Sequence, residues 1–98
     1  MEILAKNRAY LRGLGAKLKP SLNLGKSEVD DSFLHALDRA LDAHELVKIK
    51  VLQNNEDSLD DIISLIKEKT KCGLVAITGK TILLYRSNKK NPQIVLPR

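Results

Sequence analysis

Few residues in this chain have the types and spacing that catalysis needs. The acidic pairs at 30–31 and 60–61 could act as acid and base, but each falls where a helix is predicted to begin. Helix capping is the simpler role for a carboxylate in that position. His35 and His44 lie nine residues apart, about two and a half helical turns, so they do not share a face closely enough to bind one metal ion.

The remaining sequence offers no nucleophile or cofactor motif. Cys72 is the only cysteine, which excludes an internal disulfide and a cysteine-based zinc cluster. No P-loop or nucleophile elbow is present. We therefore predict a protein that is not an enzyme and binds neither metal nor cofactor. The absence of a secretory apolar region and of any apolar run approaching ~20 residues predicts a cytoplasmic protein without a membrane span.

Charge is distributed in three blocks along the chain. Residues 1–26 carry a net charge of +5, residues 27–70 carry −6 and residues 71–98 carry +6. If the two basic ends meet in space, they form one basic face opposite an acidic one. Such a face favours a polyanion, and nucleic acid is the commonest polyanion. Charge alone equally allows an accidental clustering on a solvated surface.

Two turns could present basic groups to phosphate. Gly25 and Lys26 stand between a short predicted strand and a helix, where free backbone N–H groups and the positive end of the helix dipole suit an anion. Gly79 and Lys80 connect two strands tightly. A glycine and a lysine at a turn are by themselves weak evidence for a site.

Tyr85 and Arg86 follow on the second strand of that hairpin. Tyr85 could stack on a base, and Arg86 could grip a phosphate or a base edge. The residues alone slightly favour a Tyr85 that fills an edge of the core and an Arg86 that is solvated.

Hydrophobic periodicity predicts seven elements. Helices are expected over residues 3–16, 31–44 and 58–70, the last two capped by Asp30 and Ser58, with Gly73 as the left-handed residue after the third. Strands are expected over residues 21–24, 45–52, 74–78 and 82–86, and residues 93–96 could add an edge strand or fray. The α-β-α-β-α-β-β order predicts a single α/β domain over residues 1–98, with a mixed four-stranded sheet packed by helices.

The strand at 45–52 has two different faces. Val47, Ile49 and Val51 lie on one side, and Lys48 and Lys50 lie on the other. The sequence does not decide whether the lysine face is open to solvent.

Five segments, spread along nearly the whole chain, carry a family resemblance. They are Leu18-Lys19-Pro20, Leu24-Gly25-Lys26, residues 45–51, Gly79-Lys80-Thr81 leading into Leu84-Tyr85-Arg86, and Leu96-Pro97-Arg98. Together these segments resemble the CRM domain (chloroplast RNA splicing and ribosome maturation), especially its stand-alone bacterial YhbY-like form. The resemblance implies a fold similar to the C-terminal domain of translation initiation factor three. It also implies RNA binding, associated in bacterial members with precursors of the large ribosomal subunit.

The family carries a Gly-x-x-Gly loop, and the matching positions here are 25–28. Gly25 and Lys26 fit that pattern, whereas Glu28 replaces the second glycine and is expected to repel phosphate. From the resemblance and the charge pattern together, the predicted RNA-binding residues are Lys6, Arg8, Arg12, Lys17, Lys19, Gly25, Lys26, Lys48, Lys50, Gly79, Lys80, Tyr85 and Arg86.

The expected function is non-enzymatic binding of ribosomal RNA by a monomer that assists large-subunit assembly. The alternative is a protein-docking module whose acidic helices bind a ribosomal protein or assembly factor. In that case Asp38, Asp42, Asp60 and Asp61 would matter more than the lysines.

Overall fold

The architecture is a four-stranded sheet with helices on both faces. A computed structural model describes residues 3–25, 29–53, 55 and 57–96. The predicted order of elements is confirmed: α1 (Ala5–Gly15), β1 (Leu22–Leu24), α2 (Asp31–His44), β2 (Leu46–Val51), α3 (Leu59–Thr70), β3 (Gly73–Thr78) and β4 (Thr81–Tyr85).

The predicted caps begin α2 and α3. The Asp30 carboxylate accepts the N–H of Phe33 at 2.8 Å, and the Ser58 hydroxyl accepts the N–H of Asp61 at 3.1 Å. These bonds satisfy N–H groups that the first helical turn leaves without partners. The prediction that Gly73 is the left-handed residue after α3 is wrong. Lys71 adopts that conformation, with φ of 60°, and Gly73 already belongs to β3.

The strand order in the sheet is β1-β2-β4-β3. β1 runs parallel to β2, and β4 is antiparallel to both β2 and β3. The β3–β4 hairpin therefore folds back so that β4 lies between β2 and β3. Gly79 in the hairpin turn has φ of 58°, a left-handed conformation that favours glycine.

The sheet separates two clusters of buried residues. Val47, Ile49 and Val51 of β2 face α2 and α3, and they pack with side chains such as Leu37 and Ile66. The opposite face packs against α1 and buries Leu11, Leu46, Val75, Leu83 and Tyr85. The alternation in β2 thus divides the core as its sequence predicts. The face that carries the lysines is the one that α1 partly covers.

The described residues after β4, 86–96, form no strand. The predictions that residues 93–96 add an edge strand or fray are therefore both replaced by another arrangement. Glu45 is fully buried, and its carboxylate accepts the backbone N–H groups of Asn88, Gln93 and Ile94, each at 2.7 Å. The same segment places Ile94 and Leu96 against the cluster under α1. The Glu45 carboxylate, together with the side-chain amides of Asn88 and Gln93 that donate to α2 carbonyls, therefore anchors the chain after β4.

Candidate nucleic-acid interface

α1 covers only part of its face of the sheet. Leu46 of β2 lies opposite Tyr85 of β4 under the helix, and the next pair on this face is Lys48 with Leu83. The pair after that is Lys50 with Thr81, and both of these residues are polar. The face therefore changes from apolar to polar and basic toward the Gly79–Lys80 turn.

A row of polar residues crosses all four strands on the uncovered part. Directly paired residues share a face of a sheet. Asn23 pairs with Lys50, Lys50 pairs with Thr81, and Thr81 pairs with Thr78. Asn23, Lys50 and Thr78 are exposed, and Thr81 is half-buried. We call these four residues the polar row.

The turns at this end of the sheet are joined by backbone hydrogen bonds. The Val51 N–H donates to the Lys80 carbonyl at 2.8 Å, which places the β3–β4 turn beside the end of β2. The Leu52 N–H donates to the Leu24 carbonyl at 2.9 Å, so the chain leaves β1 at the same end. Lys80, in the turn, is exposed. Three segments that are distant in sequence thus meet beside the polar row.

Gly25 is located at this end, as its predicted role requires. Its carbonyl accepts the side-chain amide of Asn55 at 2.7 Å, which fixes the chain just after β1. Lys26 and Glu28 lie outside the described residues. The prediction about the rest of the Gly-x-x-Gly-like loop therefore stays a prediction.

Lys48 holds a neighbouring basic segment in place. Its ammonium group donates to the Leu18 carbonyl at 2.9 Å, and its own carbonyl accepts the Ser21 N–H at 2.9 Å. Both bonds fasten the α1–β1 connection to β2. Lys17 and Lys19 are exposed on that connection. Lys48 is half-buried, so it presents only part of its charge directly to solvent.

The two arginines of α1 belong to the same side of the helix. Arg8 and Arg12 are one turn apart, and Arg12 lines the uncovered part of the sheet beside Gly15. Lys6 is exposed but lies about 140° around the helix from buried Leu11, so it points away from the sheet. The structure therefore brings Arg8 and Arg12, but not Lys6, to this side of the molecule.

We refer to the polar row together with Arg12, Lys17, Lys19, Lys48 and Lys80 as the open face. Within the described residues, α1, the α1–β1 connection and the four strands contain no carboxylate side chain. Most described acids belong to α2, α3 and their caps, which pack on the opposite face. Both ion pairs between described residues belong to Arg86, so no described carboxylate pairs with the cations of the open face.

Two predicted contact residues have other roles. Tyr85 is 2% exposed in the cluster under α1, so its ring has no face available for stacking on a base. Burial also raises the pKa of its hydroxyl. Arg86 lies on the far side of the sheet, where its guanidinium pairs with Asp38 and Asp42 and donates to the Thr70 carbonyl at 2.7 Å. Neither residue belongs to the open face.

Sequence patterns singled out Lys50 of the polar row but not its other three residues, and they did not single out Glu45 as an anchor. The other three residues could have been predicted. If the predicted strands are aligned side by side, their alternation places Asn23, Thr78 and Thr81 on the same face of the sheet as the lysines of β2. Glu45 carries no such signal. Its three partners lie 43 to 49 residues away, and no local pattern connects them.

The described residues offer no obvious catalytic or membrane feature. No group of three metal-ligating side chains comes together within them. None of their helices is long and apolar enough to cross a bilayer. Cys72 is buried, and burial raises the pKa of its thiol, which makes it a poor nucleophile.

Comparison with known proteins shows the family. The family model of the CRS1 / YhbY (CRM) domain matches residues 3–86. The chain belongs to the CRM domain family. It is 36% identical over 95 residues to the Probable RNA-binding protein YqeI of Bacillus subtilis, covering 97% of this chain and 99% of that protein. It is 33% identical over 93 residues to an RNA-binding protein of Haemophilus influenzae, covering 95% and 93% of the two chains.

A solved structure confirms the fold. The solution structure of SAV1595 from Staphylococcus aureus, described as a candidate RNA-binding protein, superposes with a TM-score of 0.80 at 34% identity. The match covers 97% of this chain and 99% of that one. The CRM family resemblance and the α/β architecture predicted from sequence are therefore both confirmed.

Proposed function

We propose that this CRM domain protein binds RNA without catalysing a reaction, and that its target is ribosomal RNA in precursors of the large ribosomal subunit. The observation that carries the proposal is the open face, where exposed cations surround a polar sheet surface and no described carboxylate neutralises them. The relatives named as RNA-binding proteins support the RNA partner. The ribosomal target rests on the resemblance to YhbY-like proteins.

The contacts expected on this face are mainly to phosphate. Lys and Arg side chains at fixed positions can contact the phosphates of an RNA backbone without reading base identity. The described residues of the open face include no aromatic side chain, so extended stacking on several bases is not available there. This combination suits structured RNA, which proteins recognise largely by shape and by backbone contacts.

Binding should depend steeply on salt. About five phosphate contacts give a slope of log affinity against log salt of roughly −3.5 to −4.5. Affinity should then fall by roughly 100- to 500-fold between about 50 and 200 mM salt. Fluorescence anisotropy with a fragment of large-subunit ribosomal RNA, and with an unrelated RNA of equal length, measures this slope. No binding at low salt would overturn RNA binding, and equal affinity for both RNAs would argue against the ribosomal target.

The precursor target is tested separately in cells. A tagged protein should sediment with immature large subunits on sucrose gradients and leave that fraction after RNase treatment. A tagged protein that is found only in the free-protein fractions of the gradient would contradict the precursor target.

As part of the proposal we expect a cytoplasmic monomer in which residues 1–98 act as one domain. Sedimentation equilibrium of the purified protein measures the oligomeric state.

The alternative, docking of a basic protein on the acidic helices, has less support. The docking hypothesis depends on four carboxylates, and two of them, Asp38 and Asp42, already pair with Arg86 of the same chain. A pull-down after nuclease treatment separates the two functions. A protein partner that remains bound after nuclease treatment would favour docking.

A further inference from the structure

A cleft lies on the open face between the end of α1 and the sheet. Its volume is about 380 Å³, within the range of about 300–1,000 Å³ that is typical of small-ligand sites. Small residues line the cleft where Gly15 of α1 lies against Leu83 of β4. A Cβ at Gly15 would overlap the Leu83 side chain, and Ala16 and Ala76 extend the same apolar floor.

The walls of the cleft are cationic and hydrogen-bonding. Arg12 enters from α1 and Lys48 from β2, while Thr78 and Thr81 contribute hydroxyl groups from β3 and β4. Arg12 is exposed and pairs with no described carboxylate. Among the residues that the structure describes, no acidic side chain lines the cleft, so none of them offers a counter-charge to a cationic ligand.

This combination has the chemistry of a nucleotide site. A base is a flat ring system that can lie on an apolar floor and under the plane of an arginine guanidinium. Threonine hydroxyls both donate and accept hydrogen bonds, so they suit the polar edge of a base. The attached phosphate is an anion that suits a lysine ammonium group. The guanidinium would supply the stacking surface that aromatic residues supply in other RNA-binding proteins.

We propose that this cleft binds a single unpaired nucleotide extruded from structured RNA. The inference rests on the proposed function and refines it, because it names the RNA feature that the open face selects. An RNA duplex would lie across the open face, and a bulged nucleotide would enter the cleft beside Arg12. The protein therefore prefers a duplex with one bulged nucleotide to the same duplex fully paired.

The test compares two RNAs and two matched variants. Ala16→Phe places a ring in the cleft, and Ala16 is exposed with a helical backbone that accepts a larger side chain. Ala9→Phe makes the same change at an exposed position on the outer side of α1. Both variants keep the net charge. Affinity for the bulged and the fully paired duplex is measured by anisotropy, and thermal unfolding of each variant shows whether it is folded.

We expect the wild-type protein and Ala9→Phe to bind the bulged duplex about tenfold more tightly than the paired one. Ala16→Phe should bind both duplexes equally, at the wild-type affinity for the paired RNA. Thr78→Val, at an exposed strand position, provides a second variant and should reduce the preference roughly threefold through a lost hydrogen bond. Equal wild-type affinity for the two duplexes, or a full preference in both cleft variants, would overturn the proposal.

The origin of the nucleotide is tested with adenosine, guanosine, cytidine and uridine monophosphates. If the cleft serves RNA, each free nucleotide should bind much more weakly than the bulged duplex, because it lacks the surrounding phosphate contacts. A free nucleotide that binds more tightly than the bulged RNA would replace our proposal with a soluble ligand. Failure of this inference is distinct from failure of RNA binding. In the first case both duplexes still bind, and in the second neither does.

Discussion

Replacing Glu45 with glutamine tests how the chain after β4 is anchored beneath α1. The buried carboxylate accepts three backbone N–H groups, those of Gln93 and Ile94 on one oxygen and that of Asn88 on the other. Glutamine has the same length but replaces one oxygen with an NH2 group, so at least one buried N–H donor faces another donor. An unsatisfied buried donor costs about 1–3 kcal/mol, and bonds to a charged acceptor contribute about 1.5–3 kcal/mol. We expect the free energy of unfolding to fall by about 2–4 kcal/mol.

Urea denaturation of the wild type and Glu45→Gln at neutral pH measures this loss. Glu68→Gln is the matched control, because Glu68 is exposed on α3. Hydrogen exchange adds a local measurement, since the amides of Asn88, Gln93 and Ile94 should lose protection. A loss below about 0.5 kcal/mol, which is typical of ordinary surface substitutions, would refute the anchoring role. Unchanged exchange at the three amides would refute it independently.

The pH dependence of the same variant has a definite sign. Burial on its own would raise the pKa of Glu45, but the backbone N–H donors more than offset it, so the pKa is lowered below its ordinary value of 4.5. The unfolded chain therefore takes up the proton first as the pH falls. The contribution of Glu45 to stability is present above pH 4.5 and is lost as the pH falls through the folded-state pKa. The difference between wild type and Glu45→Gln should shrink on acidification, and a growing difference would contradict this account.

Three further predictions concern other buried or paired groups. Gly15→Ala should lower the free energy of unfolding by about 1–3 kcal/mol in urea, because its Cβ overlaps Leu83; an unchanged midpoint would contradict that close approach. Arg86→Ala should cost about 1–3 kcal/mol, mainly by leaving the carbonyl of buried Thr70 without its partner, because Asp38 is exposed enough to bind water instead. RNA affinity measured by anisotropy should not change. Cys72 should react with iodoacetamide much more slowly in the folded protein than in urea, and equal rates would show that its thiol is accessible.

Local patterns predicted most of the fold. The α2 boundaries and the caps at Asp30 and Ser58 follow from polar residues placed just before a helical apolar stripe. The alternation in β2 correctly divided the core into two clusters. The position of Lys71 was missed because glycine is the usual left-handed residue, and a lysine in that conformation leaves no compositional signal.

The candidate site was harder to predict because it depends on pairing between distant strands. The charge blocks left open whether the two basic ends meet, and among the described cations of residues 71–98 only Lys80 belongs to the open face. The burial of Tyr85 could not be predicted, because the sequence of a hairpin strand does not show which of its two faces another element covers. In the sequence, an arginine that contacts RNA cannot be distinguished from one that pairs with carboxylates. Only the fold shows that Asp38 and Asp42 of α2 lie beside Arg86.

The most direct test of the open face is the salt dependence of RNA binding in Lys50→Gln/Lys80→Gln, compared with Lys89→Gln/Lys90→Gln. Both double variants lower the net charge equally, and all four lysines are exposed. Lys50 belongs to the polar row and Lys80 lies beside it, whereas Lys89 and Lys90 follow Asn88 at the Glu45 end of β2. We predict that the first pair reduces the salt slope by about 1.4–1.8 and lowers affinity at about 0.1 M salt roughly tenfold or more, while the second pair changes both only slightly. Equal effects from the two pairs would show that net charge, rather than this face, governs binding.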